Sequence, residues 1–192
     1  MLNQFFMGVR RHCILLILLL LAGCAGTSVV SKSESQVPAY KLNSTQVIWT
    51  DNYSMPYEIT SIVKTYRPLY NADNTSLISD ADKVKAGLVI GQLLSSFRAQ
   101  VVPKVRARFA ENNVHDGNEA TLELIPVLAH YVASGGRRIE VRASIKRGLD
   151  SREVWSEIIE THGPKEDANE ILLDNFVNAL TDELKKAGWL AK

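Results

Sequence analysis

Apolar and polar positions follow three different rhythms along this chain, and each predicts a different kind of element. Residues 13–22 (CILLILLLLA) form an unbroken apolar run. Between 46 and 66 (QVIWTDNYSMPYEITSIVKTY), β-branched and aromatic residues are dense enough for one or two short strands, interrupted at Asp51-Asn52 and Pro56. Asn71 to Ser79 reads as a polar loop. Over 82–112 the rhythm changes: Val84, Leu88, Leu94, Phe97, Val101, Val105 and Phe109 recur largely at three- and four-residue steps, which predicts a helix with those side chains on its core stripe. Ser79 or Asp80 can cap its start and Asn112-Asn113 can end it. Pro103 falls inside, where it removes a hydrogen bond and crowds the turn before, so a kink or split near Val101 is expected.

The clearest β pattern follows. Glu119 to Ala133 has the length and apolar content of a central strand, with Pro126 predicting a bulge or exposed edge because it cannot donate to a ladder. Ser134-Gly135-Gly136 turns the chain. Arg137 to Arg147 then alternates strictly, with Ile139, Val141, Ala143 and Ile145 on one face and Arg138, Glu140, Arg142, Ser144 and Lys146 on the other. A turn at Gly148 to Ser151 leads to a strand over Glu153 to Thr161. A last helix is predicted over 167–187, its stripe formed by Leu173, Phe176, Val177, Leu180, Leu184 and Ala187, with Gly188 as a C-terminal cap. The order β-α-β-β-β-α predicts an α+β two-layer sandwich, an antiparallel sheet of three to five strands with two amphipathic helices, in which the helical stripes and the apolar sheet face bury each other.

The N-terminal run belongs to none of this. As a helix its ten residues would span about 15 Å, roughly half of a ~30 Å hydrocarbon layer. With Arg10-Arg11-His12 before it and small residues after it, the pattern is that of a secretory signal. Leu21-Ala22-Gly23-Cys24 resembles the lipobox of bacterial lipoproteins at every position of the motif. That resemblance implies cleavage between Gly23 and Cys24, diacylglyceryl on the Cys24 thiol and an acyl chain such as palmitate on its new amine. Two or more chains hold a protein firmly on a bilayer where one does so only marginally. Ala25, where the family's inner-membrane proteins carry aspartate, implies the outer membrane, with the domain facing the periplasm. The resulting division is a signal peptide over 1–23, a lipidated flexible tether over 24–45 and a single α+β domain over 46–192. Twenty tether residues would hold that domain roughly 25 Å from the membrane on average.

Composition fits a globular domain, with 46% apolar and 22% charged residues. Once Arg10 and Arg11 are removed with the signal, 20 basic residues face 21 acidic ones and the net charge is −1. Such balance gives no global attraction to nucleic acid. Cys13 leaves with the signal, so Cys24 is the one mature cysteine and no internal disulfide can form.

Catalytic signatures are missing: there is no Gly-x-Ser-x-Gly elbow, no Gly-x-Gly-x-x-Gly fingerprint and no phosphate loop. His115, His130 and His162 stand apart from one another, without metal-ligand spacing, and no cofactor is implied. What remains is the polar strand face. If Arg147 lies opposite Arg152, Lys146 faces Glu153, Arg142 faces Glu157, and Trp155 and Ile159 point outward. Arg138, Arg142, Lys146, Trp155 and Ile159 then form a candidate partner-binding face, since Trp and Arg are favoured anchors. The opposing reading is a neutralised, solvated face with Trp155 covered by another segment. In element order the domain resembles the lipopolysaccharide-assembly lipoproteins and the auxiliary lipoproteins of envelope lipid transporters. The expectation is a non-enzymatic, membrane-tethered accessory protein or adaptor that binds an envelope protein. The alternatives are a carrier of lipid or lipopolysaccharide-type amphiphiles and, third, an envelope hydrolase.

Overall fold

A computed structural model describes residues 26–32, 41–60, 79–132, 136–148, 151–164 and 167–191. The elements are β1 (Gly26–Lys32), β2 (Ser44–Trp49), β3 (Tyr57–Thr60), α1 (Asp80–Glu111), β4 (His115–Val132), β5 (Arg137–Arg147), β6 (Arg152–Gly163) and α2 (Asn169–Lys186). They build two layers, a six-stranded sheet in the order β1-β6-β5-β4-β2, with β3 also on β4, and two helices packed on one sheet face. The signal segment, the predicted loop at 71–78 and the turn residues Ser134-Gly135 lie outside the described residues.

Two features depart from the expected sheet. β4, β5 and β6 form the predicted antiparallel meander, but β2 and β3 both run parallel to β4, so the sheet is mixed. The cause is α1, a crossover that lets the next strand enter in the same direction. Pro126 explains why β2 and β3 are two strands. β2 pairs with β4 up to Leu124 and β3 resumes at Ala129. Between them the β2–β3 loop takes over: Asn52 Nδ2 donates to the Pro126 carbonyl (3.1 Å), and the Ala129 N–H donates to the Pro56 carbonyl. On the β5 side the ladder shifts register between Pro126 and Leu128, the bulge expected of a proline here. The second departure is β1. Gly26–Lys32, inside the stretch read as a flexible tether, is an edge strand pairing antiparallel with β6, Gly26 opposite His162.

α1 starts at Ser79, whose hydroxyl accepts the Asp82 N–H (3.1 Å), and runs unsplit past Pro103 to Glu111. Pro103 and Ala99, whose carbonyl loses its partner, are both exposed, so water can satisfy that carbonyl and the helix continues. Its buried stripe is Ala86, Ile90, Leu93, Phe97, Val101, Val105 and Phe109. Val84 and Leu88, expected on that stripe, are 65% and 64% exposed. Counting back from Phe97 at 3.6 residues per turn lands on Leu93, Ile90 and Ala86, and puts Val84 and Leu88 nearly half a turn away. The first half of α1 is apolar on two faces, and only one of them meets the sheet.

The interlayer space is filled by large side chains, among them Phe97, Phe176, Trp155, Leu93, Leu122, Leu124 and Ile145, all at most 1% exposed. Phe97 and Phe176 meet edge to face at 5.7 Å. Lys104 Nζ on α1 ties the helices by donating to Asp174 (2.6 Å) and Glu170 (3.5 Å) on α2. The hydrogen bond to Asp174 is the main cause of a lysine pKa above its ordinary value. After α2, Gly188 takes φ 85°, a turn open mainly to glycine, and delivers Trp189 and Leu190 into the core. The Trp189 carbonyl accepts the Leu42 N–H (3.0 Å), closing the end of the domain away from Gly26.

The phase of α1 has a direct stability signature. Leu93→Ala and Phe97→Ala are each expected to cost about 2–5 kcal/mol in urea unfolding, whereas Val84→Ala and Leu88→Ala stay within about 0.5 kcal/mol of the parent.

Candidate functional site

One residue decides which side chains the outer sheet face offers. Arg147 pairs with Arg152 and Lys146 with Glu153, as the sequence pattern predicts, but the next pair is Ile145 with Trp155. Val154 is the extra residue of a β-bulge. Because side chains alternate with period two, that single insertion reverses the orientation of everything after it. Trp155 and Ile159 therefore turn toward the helices, where they are 1% and 0% exposed, and both leave the candidate binding face. Arg142 lies opposite Ile158 rather than Glu157, and Glu157 turns inward and is buried.

Arg138, Arg142 and Lys146 stay outside, each held by acids. Arg142 Nη2 donates to both oxygens of Glu153 (2.9 and 2.8 Å), Arg138 Nη1 to Glu160 (3.2 Å), and Lys146 Nζ to Glu123 (2.6 Å). Arg147 reaches Glu119, and His162 Nδ1 lies 3.1 Å from Glu160. Among the described residues the face is a charge-paired lattice that neither Trp155 nor Ile159 joins. Glu123, one of its half-buried carboxylates, has a perturbed pKa. Burial alone would raise that pKa, but hydrogen bonds from Lys146 and from the Thr50 hydroxyl (2.9 Å) outweigh it, and the net direction is down.

A second site was not singled out by sequence reasoning. The β2–β3 loop and α1 enclose a cleft of about 360 Å³, with Trp49, Ile90, Leu94 and Pro126 among its walls and Asp51, Tyr53 and Arg98 at its polar side. Asp51 organises it: Oδ1 accepts from Arg98 Nε and from Trp49 Nε1 (both 2.9 Å), and Oδ2 from the Tyr53 hydroxyl (3.4 Å). The Arg98 guanidinium first, and then the Trp49 indole, hold the Asp51 carboxyl below its usual range. Tyr53 is 90% exposed. Asp51-Asn52-Tyr53 reads in sequence only as an interruption of a strand pattern, and its partner Arg98 is 47 residues away along the chain.

Gly23 and Cys24, the predicted cleavage and lipidation residues, lie outside the described residues. His115, His130 and His162 are not brought together, and among the described residues no three His, Cys, Asp or Glu side chains are placed to hold a metal ion. No helix among the described residues is long and apolar enough to cross a membrane.

No protein-family model matches this chain, and no curated protein matches it in sequence. Among solved structures it is similar to a PelC dodecamer from Paraburkholderia phytofirmans, with 11% identity, 81% of this chain and 95% of that one covered, and a TM-score of 0.42. Lipoprotein GNA1162 from Neisseria meningitidis shares 16% identity over 74% of this chain and 98% of its own, with a TM-score of 0.29. A protein from Xanthomonas campestris assigned to the DUF330 family model shares 14% identity over 78% of this chain and 93% of its own, also with a TM-score of 0.29. At such scores no function passes from these proteins to this chain.

Two outcomes follow from the face and its charges. Trp155→Ala should destabilise the fold by about 3–5 kcal/mol, as for a core aromatic, while Arg142→Ala should cost no more than about 1 kcal/mol. Because the Glu123 pKa is depressed below its ordinary 4.5, its contribution to stability is present above that pH and is lost as pH falls through the lower folded value. Glu123→Gln should thus lower the urea midpoint at pH 7 and flatten the acid limb of the midpoint-against-pH curve.

Proposed function

We propose that this chain is a lipid-anchored, non-enzymatic adaptor of the bacterial cell envelope, held on the periplasmic side of the outer membrane through Cys24 and binding a protein partner there. The membrane half of this reading is supported by the signal-like segment and by Leu21-Ala22-Gly23-Cys24. The binding half is carried by one observation: Tyr53, 90% exposed, stands on the rim of the cleft beside the Arg98–Asp51 pair. Tyrosine and arginine are the side chains that most often supply binding energy at interfaces, and an apolar-walled recess next to them gives an incoming side chain somewhere to go. The charged face of Arg138, Arg142 and Lys146 is the weaker partner surface, because its cations are already matched and its expected aromatic lies in the core. The packed interlayer counsels against an amphiphile carrier, since an acyl chain would have to displace Phe97, Phe176 or Trp155.

Mass spectrometry of the purified protein should find an N-terminal peptide beginning at Cys24 and bearing acyl chains, and Cys24→Ser should move the protein from the membrane pellet to the soluble fraction. A photo-crosslinking residue at position 53 should capture one specific envelope protein in intact cells. Tyr53→Ala should leave stability within about 0.5 kcal/mol and weaken that partner by about 2 kcal/mol or more, roughly thirtyfold. Adducts arising from position 142 and none from position 53 would move the binding site to the charged sheet face and refute the cleft.

A further inference from the structure

Strand β1 begins at Gly26, and Cys24 is only two residues before it. Covalent reach alone keeps Cys24 within about 7 Å of Gly26, far short of the ~25 Å spacing that a free tether would give. Whatever membrane the lipid enters therefore lies against the end of the domain where Gly26 sits, and the sheet register identifies that end. Gly26 is opposite His162, His162 opposite Arg138, and Arg138 opposite His130, a single row across four strands. Ala86 and Ile90 of α1 cluster with Ala129 and Tyr131 beside this row. From Ile90 back to Asp80 the helix continues for about 15 Å, with Ala86 still buried on the sheet side.

Among the described residues, three of the five large exposed apolar side chains belong to this end: Val84 (65%) and Leu88 (64%) on the first turns of α1, and Ile171 (44%) on the first turn of α2. Ile171 is next to Leu172, whose carbonyl accepts the Thr161 hydroxyl (3.1 Å) that also contacts the Gly26 carbonyl (3.4 Å). α2 first reaches α1 at Ser96, where Asn169 Nδ2 donates to its hydroxyl (3.2 Å), so among the described residues the outer side of the first α1 turns has no helix beside it. A Cβ added at Gly87 or Gly91 would meet nothing within 4 Å. Lys83 and Lys85 flank Val84, Lys83 being paired with Asp80 (2.9 Å), and long lysine stems can run along apolar surface with the ammonium at headgroup level.

We infer that the first turns of α1, with Val84 and Leu88, are a membrane-contact surface: the domain lies flush on the bilayer that holds its lipid, with these side chains entering the interface. The inference rests on lipidation of Cys24. A bilayer is the occupant the geometry favours over a second copy, because the chain's own anchor delivers this end, and not the end at Arg152, to the lipid.

The test uses the full lipidated protein, purified from membranes and reconstituted in phosphatidylethanolamine–phosphatidylglycerol vesicles. Single substitutions Val84→Cys, Leu88→Cys, Asn113→Cys and Arg152→Cys are spin-labelled; the Cys24 thiol is already in thioether linkage, so only the new cysteine reacts. Labels at 84 and 88 should be at least about fivefold less accessible to a polar nickel chelate than those at 113 and 152, and more accessible to oxygen. Vesicle-bound protein whose four labels are equally open to the chelate would overturn the contact while leaving the anchor intact. Spin–spin broadening between copies at position 88 would overturn it in favour of self-association through α1. Protein that does not stay with the vesicles and shows no lipid mass on its N-terminal peptide would remove the lipidation premise, a different failure with its own signature.

Discussion

The bulge at Val154 sets the parity of the last strand, and the rest of the sheet inherits it. With it, Trp155, Ile159 and Thr161 face the helices and complete the layer formed by Ile139, Val141, Ala143 and Ile145. Without it, a tryptophan and an isoleucine would go into water while Ile158 and Glu160 exchanged places with them, and the helical stripes would lose their largest contact. β1 depends on the same choice, because it pairs with β6 and takes its register from the strand after the bulge. A single unpaired residue thus decides which side chains of the last strand reach the core, Glu157 among them.

The helices show how one amphipathic pattern can serve two surfaces. α2 presents a single apolar face, and Leu172, Leu173, Phe176, Val177, Leu180 and Leu184 are all buried by the sheet and by α1. α1 does the same from Leu93 onward, where α2 lies beside it and Lys104 and Arg108 reach across to Asp174 and Asn178. Before Ser96, among the described residues, it has the sheet on one side only. Among the described residues nothing covers the apolar side chains on the other side, whereas a helix that is apolar all round is ordinarily enclosed all round.

Much of the architecture is legible in the sequence. The three meander strands, both helices, the cap at Ser79 and the glycine stop at Gly188 follow from periodicity and local backbone chemistry, and the structure places them within a few residues of the predicted spans. The errors share one physical origin. β1 is short and polar, with Thr27, Ser28 and Ser31 exposed, so nothing in its own side chains distinguishes an edge strand from a tether; only the ladder of β6 makes it one. The bulge at Val154 has no local signal either, because Val154 and Trp155 both suit a strand. The phase of α1 was ambiguous where Val84-Leu88 and Ala86-Ile90 offered competing apolar lines, and packing against Ala129 and Tyr131 resolves it. The cleft stayed hidden because Asp51 and Arg98 meet only through tertiary structure, a contact across 47 positions of chain.

Sheet order also fixes the sequence in which the structure can be completed. The Gly26 strand is synthesised first among the described elements, yet its neighbour is the last strand made, 135 positions later along the chain. Until nearly the entire polypeptide has emerged, the first-born strand has no ladder to join, so the edge is sealed as a final event. A chain that stalls or is cut late in its length keeps that strand unzipped, and the exposed flank of β5 becomes a template for other extended segments.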